Sequence, residues 1–349
     1  MRHGHLAKTF VVGIMLVFAQ AVYSQSSIVV SLSPNIPPPR TLQPSKLVVS
    51  KVPIFGTSES SRCDDSGNIF TEASDMLMTS VGPIIKITND GSGHTIYPFP
   101  QKVNFQGTTS WNVTPGGIVY LLFGDFNTYQ IMEFTSNGDI GKRVTLEIPS
   151  KVRIEGMAVA DSGVVYIHGY QMSPDGSPSQ GESMRNAFAA LFSDSGKLIR
   201  LLTTHLSSDS QHIDLRILAQ HPMEGDVAAG ADGRFYVLEQ NDVLVINQIG
   251  EIERTLKFQK PDPSAIAAQM VVSHGLVSIT LDSIHREKPK MPAQISVHSL
   301  VLNAFTGELM GDYVFSSSQN NILCFNHNDG YKVGTVENGM DAWQLYPLQ

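Results

Sequence analysis

Six times along this chain of 349 residues, a turn containing glycine separates two apolar stretches, and a second glycine turn follows the first five pairs. The clearest copy runs from Glu224 to Leu238 (EGDVAAGADGRFYVL), then Val243 to Asn247, the turn Gln248-Ile249-Gly250, and Glu251 to Phe258. The same grammar fills Glu155 to Ile167 (EGMAVADSGVVYI), with its second turn at Asp194-Ser195-Gly196. Two further copies are anchored by Ser66-Gly67-Asn68 with Asn89-Asp90-Gly91, and by Gly116-Gly117-Ile118 with Asn137-Gly138. Looser ones are His274-Gly275-Leu276 with Thr306-Gly307, and Asp329-Gly330-Tyr331. Glycine supplies the positive φ that a tight hairpin requires, and alternation on either side gives each strand two faces.

The first-turn glycines, at 67, 117, 163, 233, 275 and 330, are spaced 50, 46, 70, 42 and 55 residues apart. About 40 to 50 residues suit one four-stranded blade of a propeller. A lone blade exposes apolar surface on both sides, and only a closed circle gives every blade two neighbours. The spacing therefore predicts an all-β, six-bladed β-propeller. The 70-residue interval holds Met172 to Ser183 and Ser207 to Ile213, read as a loop and a long connector. A seventh, degenerate blade around His212 to Gln220 is the alternative.

The last repeat offers three strands: Ile322 to Phe325, Tyr331 to Val336 and Ala342 to Tyr346. The stretch Lys46 to Val52 is expected to supply the fourth, so that an N-terminal strand closes the last blade. Burial of three or four of its apolar side chains is expected to contribute about 1.5 to 3 kcal/mol each. Cys63 and Cys324 fall on innermost strands of the first and last blades, which a closed ring makes neighbours. Sequence leaves two readings for them: a disulfide across the seam, or two buried free thiols.

The blocks at Glu155 to Ile167 and Glu224 to Leu238 resemble the NHL and gluconolactonase-like propeller repeats, a six-bladed, TolB-like class. Their blades open with an E-G-I-A-V-D-x-x-G-x-x-Y-V-like phrase. The resemblance implies a fold more than an activity, because the phrase mostly encodes strand, turn and strand.

Residues 1–24 read as a secretory signal peptide. Arg2 and Lys8 precede the apolar run Phe10 to Phe18, and small or modest residues lead to a cut after Ser24. The run is shorter than the roughly 20 residues of a membrane span. The expected organisation is a signal peptide (1–24), a Pro/Ser-rich linker (25–45) and one propeller domain (46–349). The expected location is secreted or periplasmic, with no membrane span after cleavage. The net charge is −8, and cleavage removes two cations and no acid. Nucleic acid is not an expected partner, because phosphate binding needs clustered Lys and Arg.

Propeller ligands usually meet the mouth where the innermost strands begin. Counting back from each first-turn glycine brings Glu59, Thr109, Glu155, Glu224, Ala267 and Asn321 to that level. Glu59, Glu155, Glu224 and Asn321 form an oxygen-rich set suited to a hard cation such as Ca²⁺. Gluconolactonase-like enzymes are similar in holding a metal with carboxylates and amides there. The plainer reading is that a Glu at a strand entrance caps a turn or meets water. The eleven histidines are scattered; His212, Asp214 and His221 form the densest group, and no zinc or EF-hand spacing occurs. A G-x-S-x-G elbow is absent. Asn112-Val113-Thr114 is a glycosylation sequon, and Trp111 reads as core. Two functions follow. One is a non-catalytic binding or scaffold module recognising a protein or glycan through the loops of one face. The other is a metal-assisted hydrolase, lactonase or lyase at the channel mouth.

Overall fold

In the computed structural model the described residues are 28–29, 38–51, 61–72, 83–99, 110–125, 128–171, 187–202, 226–239, 241–263, 265–285, 294–315, 322–338 and 340–348. They form six sheets, each built on four antiparallel strands, and no helix. The N-terminal strands are β1 (Ile28–Val29), β2 (Arg40–Leu42) and β3 (Lys46–Val49). Blade 1 is β4 (Arg62–Cys63), β5 (Ile69–Glu72), β6 (Ile84–Ile87) and β7 (His94–Tyr97). Blade 2 is β8 (Ser110–Val113), β9 (Val119–Asp125), β10 (Thr128–Phe134) and β11 (Ile140–Thr145). Blade 3 is β12 (Val152–Val159), β13 (Val165–Gln171), β14 (Ala187–Phe192) and β15 (Leu198–Leu201). Blade 4 is β16 (Val227–Ala229), β17 (Phe235–Glu239), β18 (Asp242–Ile246) and β19 (Ile252–Lys257). Blade 5 is β20 (Ile266–Ser273), β21 (Leu276–His285), β22 (Gln294–Asn303) and β23 (Leu309–Phe315). Blade 6 is β24 (Ile322–Asn326), β25 (Gly330–Glu337) and β26 (Met340–Tyr346), completed by β3.

Closure of the ring is visible in the core. The buried side chains fall into six clusters, each lying between consecutive blades: 1 and 2 around Trp111 and Phe134, 2 and 3 around Ile154 and Phe188, 3 and 4 around Tyr166 and Phe235. The series continues between 4 and 5 around Leu256 and Ile279, 5 and 6 around Tyr313 and Tyr331, and 6 and 1 around Trp343 and Ile69. The innermost strands touch in the same order, β4 to β8, β12, β16, β20, β24 and back to β4. No blade buries its second face without the next, so stability is shared around the circle.

The turns explain the glycine grammar. In blades 1 to 4 the first hairpin closes with a bond such as Gly163 N–H to Ala160 O, 2.8 Å, and another from Ala160 N–H to Val164 O, 3.0 Å. This is a type I turn followed by a left-handed residue, so only the glycine needs positive φ. Blade 5 differs: His274 and Gly275 form a two-residue turn with φ of 45° and 80°, the type that demands positive φ twice.

The seam between blades 6 and 1 is held three ways. β3 pairs antiparallel with β26, Val48 opposite Trp343 and Val49 opposite Ala342, so an N-terminal strand does close the last blade. Its burial is smaller than sequence suggests: Val48 is 7% exposed, whereas Leu47 and Val49 are 38% and 37% exposed, because the outermost strand has only one covered face. Cys63 and Cys324 form a disulfide with Cα atoms 5.6 Å apart. Lys332, fully buried on β25, reaches across the seam to donate to Gly67 O and, at 2.6 Å, to Asn89 Oδ1. Its Nζ also lies 3.7 Å from Asp329 Oδ2. Burial pulls the Lys332 amine down to about 8, against the opposing pull of Asp329 and Asp64.

The stretch 25–45, expected as a linker, contains two of the strands. β1 lies parallel to β19 on the outer edge of blade 4, and β2 lies parallel to β23 on the outer edge of blade 5. Leu42 tucks against Tyr313 and Val301. Together β1, β2 and β3 cover three consecutive outer edges, each of which would otherwise present unpaired backbone groups.

Candidate functional site: the central channel

The two ends of the channel are built differently. At the end where the first hairpins turn, one residue of blade 1 ties four blades together. Asp65 N–H donates to Pro115 O of blade 2 at 2.9 Å, and Asn326 Nδ2 of blade 6 donates to Asp65 O at 2.9 Å. From blade 5, Ser273 Oγ donates to Asp65 Oδ1 at 3.2 Å, and His274 Nε2 sits 3.2 Å from Asp65 O. His327 N–H in turn donates to Ser273 Oγ at 3.2 Å. Burial raises the Asp65 carboxyl above the usual range, opposed by His274 and Ser273. This cross-brace spans the turn end of the channel from blade 2 to blade 5.

Beside it lies a cavity of about 40 Å³ whose wall includes Arg62, Asp65, Asn112, Ala228 and Gln269. The strand register explains this set. Arg62, Asn112, Ala158 and Ala228 occupy one level, paired with Phe70, Tyr120, Tyr166 and Tyr236 on the second strands. At this level Asn112 Nδ2 donates to Met157 O of blade 3 at 2.9 Å, while Ala158 and Ala228 pack against apolar neighbours. Arg62 instead holds its guanidinium 5.8 Å above the Trp111 ring of blade 2. The indole is itself fixed, donating from Nε1 to Glu72 Oε2 at 3.2 Å. Burial raises the Glu72 carboxyl, and the Trp111 bond opposes that.

Of the four residues expected to hold a cation, Glu155 is described; Glu59, Glu224 and Asn321 lie outside the described residues, as do Thr109, His212, Asp214 and His221. Glu155 occupies a β-bulge, where β12 and β13 shift register between Ile154 and Gly156. The bulge aims its carboxylate at Arg153 Nε, 2.7 Å away, and Tyr170 adds a hydrogen bond. Burial raises the Glu155 carboxyl, with both partners pulling it back down. Gly156, next in the repeat phrase, is small because the His168 imidazole stands over it: a Cβ there would meet Nε2 at 2.3 Å. Ala267 is buried on β20. No group of three or more His, Cys, Asp or Glu gathers as a metal site among the described residues. The sequon is structural here, since Asn112 and Thr114 are both buried.

A second cavity, of about 20 Å³, lies between blades 2 and 3. Its charges satisfy one another, Tyr120 donating to Glu133 at 2.9 Å and Lys142 meeting Asp194 at 3.0 Å. The contrast with Arg62 is chemical: that cation has no ion-pair partner among the described residues, and its buried Nε has no acceptor.

Sequence reading passed over Arg62 and Asp65 because it aligned strand entrances and not the levels below. Five residues before the first four turn glycines stand Arg62, Asn112, Ala158 and Ala228; one cation among an amide and two alanines is the signal that was available.

Fold and channel together define a six-bladed β-propeller braced across its turn end. No family model and no curated protein matches the chain. Among solved structures it is similar to a protein of unknown function from Bacteroides caccae, at 13% identity over 73% of this chain and 81% of that one, TM-score 0.41. It is also similar to the Neurospora crassa Pan2 WD40 domain, at 9% identity over 90% and 98% of the two chains, TM-score 0.43. A third is YCF48 bound to D1 peptide, at 9% identity over 89% and 98%, TM-score 0.40. The NHL and gluconolactonase-like resemblance is not confirmed by these likenesses, and the fold rests on the six blades themselves.

Proposed function

We propose that this chain is an exported, non-catalytic binding module that recognises a protein or a glycan with the loop-framed face of its propeller. The observation that carries this reading is the asymmetry of the channel. Asp65 braces the turn end to blades 2, 5 and 6, which favours approach of a ligand to the axis from the opposite end. That end is framed by the segments joining second to third strands and blade to blade, which can vary without disturbing the sheets. Export draws support from the leader-like residues 1–24 and from the Cys63–Cys324 bridge, which suits an oxidising compartment. No helix among the described residues is long and apolar enough to cross a membrane.

The test is a screen of immobilised glycans and peptides, followed by hydrogen exchange on any complex found. Protection is expected in the upper ends of the inner strands and the loops between blades. An empty screen, or protection confined to the hairpin-turn face, refutes the reading.

A further inference from the structure

We infer that the central channel binds a small monocarboxylate, with its carboxylate group on the Arg62 guanidinium. The inference rests on the binding-module reading above, and it names the chemistry awaiting a ligand in the channel.

Four features of the wall converge on this. First, Arg62 carries a full charge with no carboxylate within ion-pair distance among the described residues, and its buried Nε finds no acceptor. A guanidinium with a buried, unpartnered nitrogen is suited to an anion, and its planar fork matches a carboxylate with two parallel hydrogen bonds. Second, the Trp111 ring 5.8 Å below holds the guanidinium in place, and Trp111 is itself pinned to Glu72. Little side-chain freedom remains to be lost on binding. Third, Gln269, paired with Thr280 in the β20–β21 ladder, also lines the cavity, and its side-chain amide has no hydrogen-bond partner among the described residues, leaving it for a ligand hydroxyl or carbonyl. Fourth, Asp65 is the other ionisable group of the wall, at the turn end. With one cation and one carboxyl already present, a singly charged ligand is accommodated, whereas a phosphate dianion adds charge that nothing in the wall offsets. The cavity, about 40 Å³, has room for a ligand of only a few heavy atoms, which favours acetate over the larger acids.

The experiment titrates the full protein, in low-chloride buffer, with acetate, L-lactate and D-glucuronate. D-glucose serves as the neutral control and inorganic phosphate as the dianionic one. Calorimetry and tryptophan emission are read together, because Trp111 lies beneath the guanidinium while Trp343 is fully buried in blade 6. The expected result is saturable binding of at least one carboxylate with a change in emission, none of glucose, and weaker binding of phosphate. Arg62→Gln is expected to weaken the carboxylate by about 10-fold or more. Arg62→Lys keeps the charge without the fork and falls between; it carries the test if Arg62→Gln does not fold. Failure of all three carboxylates to saturate, undiminished binding in the Arg62 variants, or phosphate binding as tightly as the best carboxylate overturns the inference. Hits from the glycan or peptide screen that persist in Arg62→Gln would leave the binding-module reading standing while removing this one.

Discussion

Removing the Cys63–Cys324 bridge tests whether the ring is closed at its seam. The two residues are 261 positions apart, so the bridge ties nearly the whole propeller into one loop. Chain-entropy arguments give a loop of that length a stabilisation of about 5.5 kcal/mol, acting through the unfolded state. The folded seam has two further ties, the β3 ladder on β26 and the Lys332 bonds to Gly67 and Asn89, so the native structure should survive the loss. For a domain of this size the loss corresponds to a fall in melting temperature of about 8 °C. The variant is Cys63→Ala with Cys324→Ala, which avoids burying a new hydroxyl. Far-ultraviolet circular dichroism should be unchanged, and urea denaturation should report the loss. Intact mass of the wild type should rise by two hydrogens on reduction. A loss below about 1 kcal/mol would show that the bridge does not span the denatured chain. Collapse of the β-sheet signal would show that the ladder and Lys332 cannot hold the seam.

Val48→Ala should cost about 2 kcal/mol in urea unfolding, since two buried carbons leave the contact with Trp343, whereas Leu47→Ala, 38% exposed, should cost well under 1. Equal losses would place the wrong face of β3 against the blade. Burial holds the His168 imidazole at about 4, below the 6.5 of an unperturbed histidine. Between those values the unfolded chain binds a proton that the fold excludes, so stability should fall as pH drops through 6.5, by about 2 kcal/mol at pH 5. His168→Gln should lose that part of the acid sensitivity, and an unaltered slope between pH 7 and pH 5 would contradict the assignment. Asn112→Ala strands the Met157 carbonyl and should cost about 1 to 3 kcal/mol. Folded protein secreted from eukaryotic cells should carry no glycan at Asn112, and a mobility shift on deglycosylation would disprove its burial. Calorimetric titration of chelated protein with Ca²⁺ should show no site built on Glu155, whose charge Arg153 already meets; a binding heat abolished by Glu155→Gln would revive the metal-assisted hydrolase reading.

The fold was legible because its punctuation is local. All six first-turn glycines and all five second-turn glycines read from the sequence adopt positive φ. A backbone requirement of this kind depends on a few adjacent residues and survives in any context. The closing strand at Lys46 was legible for a topological reason, namely that a last blade of three strands leaves an edge in need of a partner. The strands at Ile28–Val29 and Arg40–Leu42 left no comparable mark. They are two and three residues long, they join their sheets in parallel, and a stretch rich in proline separates them, so no alternation has room to develop. The burial of β3 was overread because hydropathy records which residues could be buried, while an outermost strand covers one face only.

The channel was harder to read, and the reason lies in how a propeller divides its chain. Each inner hairpin turn is constrained by its own blade and by the next, as Asp65 is by Pro115 and Gly116 is by the Asp161 carboxylate 2.9 Å away. Such turns repeat with the blades and announce themselves. Residues along the inner strands answer to a different geometry: Arg62 gains its meaning from Trp111, 49 positions later, and from Ala228 and Gln269 across the axis. Nothing in the neighbourhood of Arg62 in sequence signals that its charge stands without a partner. Glu155 shows the converse, because it occupies the level where a ligand set was expected, yet a one-residue bulge in β12 turns its carboxylate to Arg153. A count of positions along a strand predicts facing only while the register is unbroken. In a closed ring of repeats, then, the unit is specified by what recurs and the site by a single departure from it, and Arg62 is that departure at its level of the wall.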